Sequence, residues 1–200
     1  QERGEEIVVN LKMSNTMDTK ISHNFITDYK GSEQPEKVVI ISGHIDSWDV
    51  GDGSMDDAGG CFISWMAPIA LKQLNLRPKR TLRTIFFTAE EFGYVGAEAY
   101  AEEIKAENDN LNFVMESDFG TFTPLGLIYQ GSKTGECMMR EILKLFTRIN
   151  ATELLLGTPG SDITVWTRQG IPGGGLHNDR ERYFWYHHAE GDTLDVLDSD

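Results

Sequence analysis

The feature that most restricts the fold is a series of short, β-branched apolar runs alternating with helix-patterned stretches. "KVVIIS" (37–42), "TLRTIFFTA" (81–89) and "LNFVMES" (111–117) are runs of strand length with little polar interruption. Runs of this kind suit strands buried on both faces. Between them, residues 58–75 and 94–107 follow a helical period, the first with Pro68 as a predicted kink and the second rich in alanine and glutamate. Further on, "LGLIYQG" (125–131) reads as a fourth strand and "GECMMREILKLFTRI" (135–149) as a helix. "SDITVWTRQG" (161–170) reads as a short helix ending at Gly170, and "IPGGGL" (171–176) as a short strand or loop. The alternation predicts an α/β fold, a mostly parallel central sheet with helices on both faces.

The first 37 residues differ in character. They are polar and mixed, with strand-like runs at "EIVVNLKM" (6–13) and "HNFITDYK" (23–30) and a turn cluster at "GSEQPEK" (31–37). We therefore divide the chain into residues 1–37, strands entering the domain, and residues 38–200, the main domain. The chain starts at Gln1 rather than Met and stops without an obvious closing element, which points to a piece of a longer protein.

Charge narrows the function classes. With 18 basic against 32 acidic residues the formal charge is −14, the opposite of what phosphate neutralisation by a nucleic-acid binder requires. No apolar run reaches the length of a membrane span. The acidity serves solubility, and it also suits carboxylates that converge on cations. Cys61 and Cys137 could pair or stand as buried thiols, and Asn150-Ala151-Thr152 is a glycosylation sequon.

In open α/β sheets, sites form beyond the carboxyl ends of the strands. Here those ends carry His44 and Asp46, then Glu90 and Glu91, then Asp118. Each has an ordinary use as well. His44 and Asp46, two apart on extended chain, could form a simple structural contact, or the carboxylate could orient an imidazole that binds metal. Asp56 and Asp57 in "SMDDAGG" could cap a helix, or Asp56 could bridge two metals. Two acids side by side after a buried strand, Glu90 and Glu91, call for a cation nearby, and the pair can divide metal binding from proton transfer. Asp118 is a turn residue or a ligand, with Glu116 as its rival. In "YFWYHHAEGDT", His187 and His188 are packed aromatics or donors. Counted together, Asp56 shared, with His44 and Asp118 on one side and Glu91 and His188 on the other, gives three donors to each of two ions, the open-sited pattern of catalytic zinc.

The order HxD, DD, EE, D, HHxxxDT resembles the co-catalytic two-zinc peptidases that include leucyl aminopeptidases and glutamate carboxypeptidases. "GHIDSWDVGDGSMDDAGG", "TAEEFGYVGAEAY" and "YFWYHHAEGDT" look most like the plasma glutamate carboxypeptidase branch, over roughly residues 24–200. The resemblance implies the zinc-peptidase three-layer sandwich and two zinc ions per chain. It implies His44, Asp56, Glu91, Asp118 and His188 as ligands, Glu90 as the base, Asp46 behind His44, and a cis peptide between Asp56 and Asp57. Relatives place an oxyanion-stabilising tyrosine where this chain has His187. It further implies short peptides as substrate, chiefly dipeptides, a homodimer in the full-length protein and, with the sequon, a secreted or lysosomal location. The loops "GTPGSDI" and "GGGLHNDRERY" are read as pocket lining, so Ser161, Asp162, Arg180 and Arg182 are candidate substrate contacts, the arginines for a carboxylate. Two alternatives are a single-zinc acyltransferase of the glutaminyl cyclase kind and a catalytically inert binding domain or fragment.

Overall fold

The computed structural model describes residues 8–105 and 110–197. Its core is one seven-stranded sheet in the order β1-β3-β2-β4-β7-β5-β6. The strands are β1 (Phe25–Tyr29), β2 (Gln34–His44), β3 (Arg80–Phe87), β4 (Leu111–Glu116), β5 (Pro124–Gln130), β6 (Glu153–Leu156) and β7 (Gly173–Asn178). Four neighbouring pairs are parallel, β2–β3, β2–β4, β4–β7 and β5–β6. β1–β3 and β5–β7 are antiparallel, so the sheet is mixed, with a parallel centre. The predicted α/β class and mostly parallel sheet hold.

The helices are α1 (Gly59–Gln73), α2 (Val95–Glu103), α3 (Lys133–Leu143), α4 (Thr164–Thr167) and α5 (Tyr183–Tyr186). Strand alternation decides which face each covers. Ile40, Ile85, Phe87 and Val114 point one way and pack with Tyr100 of α2 and Trp166 of α4. The opposite side chains of the same strands differ in company. Phe86 of β3 lines a hollow with Cys61, Phe62 and Trp65 of α1, and Phe113 and Met115 of β4 line another with Leu143 of α3. Phe87, Ile40, Ile85 and Trp166 are fully buried. Truncating such a ring to alanine costs about 3–5 kcal/mol.

Several boundaries differ from the sequence reading. β2 starts at Gln34, inside the expected turn cluster, and takes up a register shift between Gln34 and Val38. Residues 8–13 form no strand, because no neighbour pairs with them; the rest of that predicted run, residues 6 and 7, lies outside the described residues, as do residues 106 and 107 of the second helical stretch. β6 and α5 are additional elements. α1 runs through Pro68 without a break in its assigned span. Cys61 is buried and Cys137 exposed, and both are free thiols.

What matters for function is the switch point beside β2. The chain leaves β2 through α1 to β3 on one side, then returns through α2 to β4 on the other. The two connections diverge at the carboxyl end of β2, where a crevice opens.

Candidate metal centre

β2 ends at His44, and the imidazole is almost wholly buried, 1 % exposed. Its Nδ1–H donates to the carbonyl oxygen of Asp46 at 2.9 Å. That bond fixes the ring so that Nε2 faces two carboxylate oxygens, Asp56 Oδ1 and Asp118 Oδ1, each 3.2 Å away. Burial alone would lower the His44 pKa, but Asp118 and Asp56 outweigh it and raise it far above the ordinary imidazole range.

Asp46 does not act as the sequence suggested. The residue's carbonyl, not its carboxylate, orients the ring; Oδ1 lies 3.7 Å from Nδ1. The carboxylate instead accepts the main-chain amides of Glu90 and Glu91 at 3.0 and 3.2 Å. It ties the end of β3 to the end of β2, and so sets where both glutamates start.

Asp56 and Asp57 lie in an irregular turn, Ser54–Ala58, joined by a cis peptide bond as the resemblance implied. The turn sends the two side chains to different tasks. Asp57 is buried below His44 and accepts the amides of His44 and Gly60 at 3.1 and 3.0 Å. Burial and the neighbouring Asp118 raise its pKa. Asp56 reaches outward: Oδ1 faces His44, and Oδ2 lies 3.3 Å from His187 Nε2 and 3.4 Å from His188 Nε2. Asp192, the aspartate of the HHxxxDT pattern, accepts the amides of Met55 and Asp56 at 2.7 and 3.1 Å and holds the turn.

Glu91 completes the second side. Its Oε2 is 3.0 Å from His188 Nε2 and accepts the indole N–H of Trp48 at 2.8 Å. Burial first, and then Asp56, push its pKa up to about 7. His188 has a left-handed backbone (φ 58°), a strained state for a non-glycine residue that concentrates at functional sites. Burial and His187 lower its pKa, which favours the neutral, donor form. Glu90 turns toward the first side, with Oε2 3.9 Å from His44 Nε2, and burial raises its pKa.

The donor atoms fall into three groups within 4.8 Å: Asp56, His187 and His188; His44, Asp56 and Glu91; His44, Asp57 and Asp118. All five residues read as ligands from sequence therefore meet in one place. Asp57 also falls in a group, but both its oxygens already hold amides. Among the described residues, the ion pairs of Asp56, Glu90, Glu91 and Asp118 are with histidines alone. Asp56 Oδ2 and Glu91 Oε1 are buried without a hydrogen-bond partner. Four crowded carboxylates, imidazole nitrogens between them and orphaned oxygens fit divalent cations with mixed nitrogen and oxygen ligands, zinc above all.

The four substrate candidates fare differently. Ser161 belongs to the centre, donating to Asp118 Oδ2 at 2.6 Å. Asp162 is wholly buried, beside Glu116, and cannot meet a substrate; its loop turns the side chain inward. Glu116, the rival of Asp118, is likewise buried and accepts the amides of Asp162 and Ile163. Arg180 and Arg182 stand over the rings of Phe119 and Phe122, at 3.9 and 5.0 Å. Arg182 borders a hollow of about 310 Å³ with Thr121, Phe122 and Asp179. Trp48 is the participant that sequence reasoning missed. Its only signal was an aromatic residue set among the acids between His44 and Asp56.

The profile of Peptidase family M28 matches residues 24–200. The chain belongs to that family. It is 49 % identical over 198 residues to carboxypeptidase Q of Xenopus laevis, covering 98 % of this chain and 42 % of that protein. With carboxypeptidase Q of Homo sapiens the identity is 47 % over 196 residues, with the same coverages. The chain thus spans about two fifths of the length of these relatives. Among solved structures, a peptidase M28 precursor from Shewanella amazonensis superposes with a TM-score of 0.78 at 31 % identity, covering 88 % of this chain and 40 % of that one.

Proposed function

We propose that this M28 chain carries the catalytic centre of a metallo-exopeptidase that hydrolyses short peptides, chiefly dipeptides, with two zinc ions. The carrying observation is the position of Asp56: one oxygen faces His44 and the other faces His187 and His188, so a single carboxylate serves two donor groups. His44 and Asp118 would hold one ion with Asp56, and Glu91 and His188 the other. His188 is preferred to His187 because it alone of the pair has an ion pair to Glu91. Zinc held there would supply Lewis-acid activation of water and of the substrate carbonyl.

The chain's own groups handle protons and position. Glu90, its carboxyl pKa raised by burial, takes the proton from the attacking water and delivers it to the leaving amine. Ser161 anchors Asp118 through its hydroxyl. His187, stacked on His188 with ring centroids 3.6 Å apart, offers an N–H to the developing oxyanion. Arg180 or Arg182 would take the substrate's terminal carboxylate. The carboxypeptidase name of the relatives supports cleavage at that end. We also assign a secreted or lysosomal setting, in keeping with an exposed Asn150 in the sequon, and a homodimeric full-length protein. No helix among the described residues is long and apolar enough to cross a membrane.

The test combines metal content by mass with dipeptide hydrolysis, with and without chelator, in the full-length protein. Two zinc equivalents and chelator-sensitive release of free amino acids are expected. Glu90→Gln should keep both ions and lose roughly 10²–10⁴-fold in kcat. Full activity in that variant rejects Glu90 as the base. One equivalent with a cyclised product assigns the glutaminyl cyclase type of acyl transfer instead.

A further inference from the structure

We propose that Trp48 is a positioning residue that presets one side of the centre by holding Glu91 and His188 together. The inference rests on the two-cation reading above. Three contacts carry it. The indole Nε1–H donates to Glu91 Oε2 at 2.8 Å. The indole ring stacks on the His188 imidazole, with centroids 4.6 Å apart and planes 21° from parallel. Glu91 Oε2 and His188 Nε2 are themselves 3.0 Å apart. One side chain thus grips both donors of the same side.

The grip is specific. Because the indole occupies Oε2, Glu91 presents its other oxygen, Oε1, which is buried and has no hydrogen-bond partner. The imidazole is flanked by two near-parallel rings, Trp48 at 21° and His187 at 22°. That stacking fixes the ring at a residue whose backbone is already in the left-handed region. Among the described residues no counterpart acts on the other side, where His44 is set by a carbonyl and Asp118 by a hydroxyl. Trp48 comes from the loop after β2, whereas Glu91 follows β3 and His188 follows α5. The indole therefore joins three separate stretches of chain. Tryptophan is needed because only an indole combines a wide flat face with an edge N–H donor.

The test uses Trp48→Phe, which keeps a ring and removes the N–H, and Trp48→Leu, which removes both. Zinc affinity is measured for each site by titration against a competing chelator, and cobalt-loaded protein is followed by its visible absorption spectrum. Outer partners of metal ligands typically set 10–100-fold in affinity. Trp48→Phe should weaken one of the two equivalents about 10-fold, and Trp48→Leu more, with the other equivalent unmoved and the cobalt bands altered. Circular dichroism and thermal melting of the chelated protein should match wild type, since the indole is half exposed and outside the main core. Wild-type affinity at both sites in Trp48→Phe and Trp48→Leu overturns the proposal while leaving the two-ion reading intact. A wild-type protein that takes up fewer than two equivalents overturns that reading, and the proposal with it. Equal weakening of both sites in the variants also overturns it, because the grip touches one side alone.

Discussion

Two layers of the centre use the same residue types to opposite ends. In the floor, Asp46, Asp57, Glu116 and Asp192 each accept two main-chain amides. In the rim, Asp56, Glu90, Glu91 and Asp118 face imidazole nitrogens, and among the described residues no main-chain amide reaches them. A carboxylate that accepts amides is satisfied, and it stiffens the backbone it accepts from. A carboxylate without them still needs positive charge. Role is therefore decided by where the amides go. Asp56 and Asp57 are adjacent and chemically identical, yet one is rim and the other floor.

The sharpest way to break this division is Asp56→Asn. Removing the shared rim oxygen should drop metal uptake from two equivalents to one or none and lower turnover by several orders of magnitude. The chelated protein should melt no lower than wild type, because one member of a crowded acidic group has gone. Retention of two equivalents, measured by mass, would show that the rim is not the ligand set.

Floor variants should behave differently. Asp46→Asn puts an NH₂ where one of the Glu90 and Glu91 amides needs an acceptor, so both glutamates lose their fixed start. A loss of about 10–100-fold in metal affinity or kcat is expected, with little change in melting. Asp192→Ala leaves the Met55 and Asp56 amides unpaired in a buried turn, at about 1–3 kcal/mol for each donor left unsatisfied. Asp192→Asn keeps one acceptor and should lose less. Denaturant unfolding of the chelated protein separates the two, and equal losses would contradict the amide-clamp account.

The rim was more legible in the sequence than the floor. Of the rim carboxylates, Glu90, Glu91 and Asp118 follow strand ends, as His44 does, and strand ends show as apolar runs cut short by His or acid: "IISGH", "IFFTAEE", "VMESD". The same strand ends also carry the floor residues Asp46 and Glu116, and nothing in the sequence separates them from the rim, since acceptance of an amide depends on where another strand's backbone lies. Asp162 illustrates the gap: "GTPGSDI" looks like a pocket loop, but the chain turns that carboxylate beneath the site. The parallel centre of the sheet was legible for the same reason as the rim. β7, between β4 and β5 and antiparallel to β5, was not, because three glycines carry no apolar pattern to give direction or partner. β6 was missed because its run of three leucines is short and starts only five residues after the helix-patterned stretch ends at Ile149.

The smallest effect is the most informative about the floor. Asp162 is pushed up to about 8, by burial first and then by Glu90. In the unfolded chain an aspartate titrates near 3.9. Between about pH 4 and about pH 8 the unfolded state has released this proton while the folded state keeps it. The folded state binds more protons there, so stability is full below about pH 4 and declines as pH rises through that window. Asp162→Asn fixes the group in a neutral form and removes its part of the decline. In chelator, so that cation binding adds nothing, denaturant unfolding at pH 5 and pH 8 should show a smaller drop for the variant than for wild type. The difference should be some fraction of the ~1.4 kcal/mol per pH unit that one full proton would give. Glu116, buried alongside and also raised, limits that fraction, because in the variant it still resists losing its own proton. An unchanged slope would mean that Glu116 alone carries the titration, and that Asp162 only fills space beneath the centre.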